Sequence, residues 1–98
     1  MIRHVVLFFL ADGVSADDPR VVKGLEASRE LGRSLPQALT WSMEPNISDR
    51  DIAADFVAIG DFADEDALAE FLQHPDHQAA GGHWADLATL RIADFLVR

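Results

Sequence analysis

The stretch Arg3-His4-Val5-Val6-Leu7-Phe8-Phe9-Leu10 decides the architecture. After its first two residues it is unbroken Val, Leu and Phe, types that suit a pleated strand, and a run without polar alternation suits a strand covered on both faces. It is far too short to cross a bilayer, lacks a small-residue cleavage site, and runs into the turn signal Asp12-Gly13. It therefore reads as a buried strand rather than a signal peptide or a membrane anchor. Such a strand needs partners on both sides, and the rest of the chain supplies candidates.

Asp17-Asp18-Pro19 sets an acidic cap and a proline where a helix begins. Beyond it Val21, Leu25, Ser28, Leu31, Gly32 and Leu35 share one side of a helical wheel. Lys23, Glu26, Arg29, Glu30 and Arg33 share the other, which predicts an amphipathic helix closed by Pro36. Gly24 and Gly32 each cost about 1 kcal/mol of helix propensity relative to Ala, so their presence points to close packing beneath. Leu39 to Glu44 alternates, with Leu39, Trp41 and Met43 on one face. Asp55 to Phe62 alternates again, with Phe56, Ala58, Gly60 and Phe62 together. The polar stretch Pro45 to Asp51 is a loop, and Gly60 marks a bulge or a close neighbour. A second helix starts at Asp64, buries Ala67, Leu68, Phe71 and Leu72, and stops at Pro75. Asp76 to Ala88 is expected to be a loop with a short helix, and Thr89 to Val97 the last strand.

The order β-α-β-β-α-β predicts a ferredoxin-like α+β fold, an antiparallel four-stranded sheet with the helices on one face. The chain has 98 residues, 49% of them hydrophobic, which suits a single domain over residues 1–98. The uncovered sheet face favours a homodimer packed sheet to sheet. Seventeen Asp and Glu against eight Lys and Arg leave a net charge of −9. That argues against nucleic acid and anionic membrane surfaces as partners, because both are bound through clustered cations. The lack of cysteine excludes disulfides, thiolate nucleophiles, iron–sulfur clusters and Cys-zinc sites. A cytoplasmic location is expected.

Four details resemble the stress-responsive dimeric A/B barrel (Dabb) family. They are the opening Ile2-Arg3-His4-Val5-Val6-Leu7-Phe8, Pro45-Asn46 after the second strand, Phe62-x-Asp64-Glu65-x-Ala67-Leu68 at the start of helix two, and His74-Pro75-Asp76-His77 behind it. The resemblance spans nearly the whole chain and implies a dimeric barrel with a pocket between each sheet and its own helices. A plant member of this family, olivetolic acid cyclase, closes a polyketide ring by aldol condensation without a cofactor. The resemblance puts its general base at His77. Its assisting tyrosine falls on Phe71, and the chain contains no tyrosine, so half of that machinery is missing.

His77 suits a general base, since a neutral imidazole near pH 7 can take a proton from a carbon flanked by carbonyls; the plainer reading is a packing or capping residue past a helix end. His4, among apolar residues on the first strand, points either into the pocket beside His77 or into the core. His74, at the end of helix two, is read as structural, and His83 as a surface residue. No two histidines show the spacing of a zinc enzyme on one helical face, so neither a metal nor another cofactor is expected. Trp41, Met43, Phe56, Phe71 and Trp84 are candidates to line a pocket for a small apolar or aromatic molecule. The acidic runs Asp49-Arg50-Asp51 and Asp64-Glu65-Asp66 are read as solvated charge. Three functions stay open: a cofactor-free enzyme of polyketide cyclase type, a cofactor-independent monooxygenase, and a non-catalytic module that binds a small molecule.

Overall fold

A computed structural model describes all residues from Met1 to Arg98. Its elements are β1 (Ile2–Leu10), α1 (Pro19–Ser34), β2 (Ala38–Pro45), β3 (Phe56–Phe62), α2 (Glu65–Gln73), α3 (Pro75–Gly82) and β4 (Ala88–Leu96). The strands form one antiparallel sheet in the order β2-β3-β1-β4. The helices lie on one face, α1 over β2, α2 over β2 and β3, and α3 against both other helices. This is the ferredoxin-like α+β fold, and the short helix expected after Pro75 is α3.

Local chemistry explains most boundaries. Gly13, at φ +80°, turns the chain after β1 in the left-handed region that glycine enters freely. The Asp18 carboxylate accepts from the Arg20 N–H at 2.9 Å, with Pro19 in the first helical position. Asp64 caps α2 by accepting from the Ala67 N–H at 2.9 Å. The Asn46 side chain closes a turn onto both backbone groups of Ser48, so Pro45-Asn46 serves the chain path.

In β1 the alternation is hidden inside an apolar run. Ile2, His4, Val6 and Phe8 are buried beneath the helices, whereas Val5 is half-buried and Leu7 is 37% exposed on the reverse face. That face continues with Val57 and Ile59 of β3 and the exposed Phe95 of β4. The chain by itself thus covers only one side of β1.

Two expectations are corrected here. The β2–β3 register slips between Ala38 and Thr40, which leaves Leu39 out of the pairing and 59% exposed; Trp41 and Met43 resume the inward alternation. The segment after His74 is regular helix from its first residue. His74 closes α2 and opens α3, its Nδ1 accepting from the Asp76 N–H at 3.1 Å. It is structural, as read, but works as an acceptor at a helix start rather than as a cation at a helix end. His77 consequently sits in the first turn of α3.

The core divides into two clusters. One gathers Val6, Phe8, Val21, Met43, Phe56, Ala58, Trp84 and Leu87. The other gathers Ile2, Leu31, Leu35, Phe62, Leu68, Phe71 and Ala80. Trp41 packs against both.

Candidate functional site

A cavity of about 80 Å³ lies on the seam between the two clusters. Its sheet side is made by His4, Val6 and Phe8 of β1 and Ala58 of β3. Ser28 and Leu31 of α1, Leu72 of α2, and His77, Ala80 and Gly81 of α3 roof it. Trp41 and Trp84 stand as walls, and Leu90 and Ile92 of the edge strand border it while remaining 38% and 61% exposed.

The polar groups of this apolar space are mainly two imidazoles. His4 is 1% exposed, and β4 brings Asp94 directly opposite it across the sheet. The His4 Nδ1 lies 2.5 Å from the Asp94 Oδ1, which fixes the ring and leaves its Nε2 edge for the cavity. His77 is half-buried, and its Nδ1 is a buried atom with no hydrogen-bond partner. Its ring stacks at a tilt on Phe71, centroids 5.1 Å apart. Burial disfavours the imidazolium and the nearby His4 acts in the same direction, so the His77 pKa falls below its ordinary 6.5; the Leu72 carbonyl pulls weakly the other way. His77 is therefore a neutral imidazole at neutral pH, with a lone pair or an N–H that the protein leaves unused.

The shift fixes the sign of a pH effect. In the unfolded chain His77 titrates near 6.5, so as pH drops through that value the unfolded state takes up a proton that the folded state refuses. The stability that a neutral His77 allows is complete above pH 6.5 and is lost on acidification below it. Denaturant unfolding between pH 7.5 and 5.5 should show a shallower fall in stability for His77→Leu than for the unaltered chain.

Of the candidate lining residues, the structure brings Trp41 and Trp84 to the cavity with His4 and His77. It does not bring Met43, Phe56 or Phe71. Met43 and Phe56 are core beneath α1 and Trp84, and Met43 borders a separate open groove with Arg29, Arg33 and Glu44. Phe71 is fully buried one layer behind, wedged between Trp41, Phe62 and His77. Its ring supports His77 without bordering the space. His83 is exposed in a groove with Arg20, Lys23 and Asp86. Asp94 was not foreseen from sequence. The available signal was a lone carboxylate in phase with Leu90, Ile92 and Leu96, but linking it to His4 requires the pairing of strands 90 residues apart.

No helix is long and apolar enough to cross a membrane. The sequence profile of the stress responsive A/B barrel domain matches residues 2–97. A protein of Streptomyces coelicolor, itself uncharacterized, is 50% identical over 95 residues, covering 97% of this chain and 98% of its own. A dimeric ferredoxin-like protein of unknown function from Thermobifida fusca superposes with a TM-score of 0.84 at 26% identity, over 98% of this chain and 90% of that one. The hydroxynitrile lyase of Passiflora edulis (TM-score 0.82, 12% identity, 99% and 93% coverage) shares the fold. So does the cofactor-independent oxygenase SnoaB of Streptomyces nogalater (TM-score 0.72, 17% identity, 99% and 92% coverage). With an end-to-end profile match and a half-identical relative of the same length, the chain belongs to the stress responsive A/B barrel (Dabb) family.

Proposed function

We propose that this protein is a homodimer that catalyses cofactor-free proton transfer at carbon in a small apolar or aromatic molecule, with His77 as the base. The observation that carries the reading is the half-buried His77 ring bordering an apolar cavity, with its Nδ1 buried and without a hydrogen-bond partner. An unpaired buried polar atom costs about 1–3 kcal/mol, and the ring that carries it borders a space that a ligand group can enter. His77 takes a proton from the carbon to become the imidazolium and gives that proton, or one exchanged with solvent, back to the carbon skeleton, while His4, its ring set by Asp94, presents a second imidazole to the same volume. Two structural neighbours are named for small-molecule chemistry, which supports a catalytic use of this fold without assigning the reaction.

The cavity bounds the substrate. Pockets for drug-sized ligands run to roughly 300–1,000 Å³, and about 80 Å³ admits the reacting end of a compact molecule but not a folded linear polyketide. Incubation with phenylacetone in deuterated buffer tests the reading. Deuterium should enter the carbon next to the carbonyl faster than in buffer alone; uptake at the buffer rate for this and other single-ring carbon acids would count against catalysis. A non-catalytic binding module is then the second reading, favoured by the fully buried Phe71 where a polarising tyrosine would stand.

The dimer rests on the bare reverse face of the sheet and on the dimeric Thermobifida relative. Sedimentation at micromolar concentration should give two copies, with an interface of at least about 1,200 Å². A compact, stable monomer would remove this part of the proposal. The reading includes a cytoplasmic location, which fractionation of cells producing the protein would check.

A further inference from the structure

The two cavity walls are the chain's two tryptophans, and one residue anchors both. The Trp41 Nε1–H donates to the Ser28 carbonyl at 2.8 Å, and the Trp84 Nε1–H donates to the Ser28 hydroxyl at 3.0 Å. Each indole is also seated against glycine. A Cβ at Gly24 would stand 2.9 Å from Trp84, and one at Gly32 or Gly60 would stand 2.8 or 2.5 Å from Trp41. Gly24, Ser28 and Gly32 follow one another at helical spacing along the inner side of α1, so small residues at three successive turns admit both rings. From behind, Trp84 meets Phe8 at 4.8 Å and Phe56 at 6.1 Å, and Trp41 meets Phe71 at 5.1 Å.

Trp84 cannot swing aside to enlarge the cavity, since it is 1% exposed and hemmed by Gly24, Phe8 and Phe56. A rotation would drive its indole into backbone or aromatic neighbours and leave a buried N–H without an acceptor. Trp41 is half-buried and also borders the open groove beside Gly32 and Arg29. Ligand size on the Trp84 side is thus set by a fixed wall rather than by induced fit. A dry cavity of roughly 150 Å³ holds a benzene ring, so a space of about 80 Å³ takes a single ring only partway, its remainder lying at the mouth by Leu90 and Ile92.

We propose that Trp84, locked by Ser28 and Gly24, is the specificity-determining residue that restricts this site to single-ring or smaller ligands. The inference rests on the cavity being the ligand site but not on His77 being a base. It goes beyond the reaction by naming the size class and the residue that enforces it.

The test is calorimetric titration of the full-length protein with phenol and with 2-naphthol. The unaltered chain should bind phenol and bind 2-naphthol at least about tenfold more weakly. Trp84→Phe removes one ring and the anchor while keeping the core apolar. It should raise the affinity for 2-naphthol relative to that for phenol at least about tenfold. Ser28→Ala, which removes the Trp84 acceptor and keeps the ring, should shift the same ratio in the same direction by a smaller factor. Equal binding of both probes to the unaltered chain overturns the proposal, as does an unchanged ratio in a folded Trp84→Phe or, if that variant fails to fold, in Ser28→Ala. Phenol bound, with the ratio unmoved, ends the size restriction and leaves the catalytic reading standing. Binding of neither probe ends both.

Discussion

Replacing His77 by leucine should lower deuterium uptake into phenylacetone by at least about a hundredfold, the lower end of what a positioned general base contributes. The folded state should not suffer. Leucine has a similar volume, packs against Phe71 equally well, and removes the Nδ1 that is buried without a partner. Unfolding free energy at pH 7.5 should therefore stay level or rise by about 1 kcal/mol. Loss of rate with retained stability marks a residue kept for chemistry. A fall of more than about 2 kcal/mol, with ligand handling intact, would show His77 to be a packing residue and bring the binding module forward.

The largest loss of stability is expected at Gly60. A Cβ there would sit 2.5 Å from the Trp41 ring and 3.1 Å from Phe62. The Trp41 ring also lies close against the Gly32 backbone, and its N–H is held by the Ser28 carbonyl, so a retreat toward the groove it borders would cost that bond. Gly60→Val should accordingly reach the upper end of overpacking costs, about 3 kcal/mol, and lower Tm by about 12 °C or more for a domain of this size. Gly82 offers a contrast, since a Cβ there meets nothing within 4 Å. Gly82→Ala should leave Tm unchanged or raise it slightly. Thermal melts of the two variants against the parent decide the matter, and equal behaviour would contradict the wedged position of Trp41.

How much of this was legible follows from the range of each signal. Asp18-Pro19 and Asp64 declare helix starts through contacts two or three residues away, and both act as read. The alternation Phe56, Ala58, Gly60, Phe62 shows in the burial of β3. Gly60 was legible as a bulge or a close neighbour and proves to be the neighbour, with the bulge on the facing strand at Leu39. Pro75 ends α2 as read, but the start of α3 at the same residue was not legible, because a proline that ends one helix suits the first position of the next equally well. Only the capping bond from His74 to the Asp76 N–H separates the two uses. Two glycines at the far end of α3 concealed the rest of it.

The site was half legible for the same reason. His4 stands out as a polar residue in an apolar strand and His77 through the His74-Pro75-Asp76-His77 resemblance, and both border the cavity. Trp41 and Trp84 stand out by size. Their common anchor, Ser28, hid among the small residues of α1, and Asp94 became visible only through strand pairing. Met43, Phe56 and Phe71 show the limit of composition, since aromatic and thioether side chains mark a core as readily as a pocket wall.

The central claim is that the protein keeps His77 neutral and unpartnered for a ligand. Its imidazole resonances, followed by NMR through a pH titration with and without phenol, test this most directly. A free-protein pKa below 6.5 and a change in the His77 signals when phenol is added are expected. An ordinary pKa, with signals that ignore phenol while other residues of the cavity respond to it, would show that His77 is not held for a ligand.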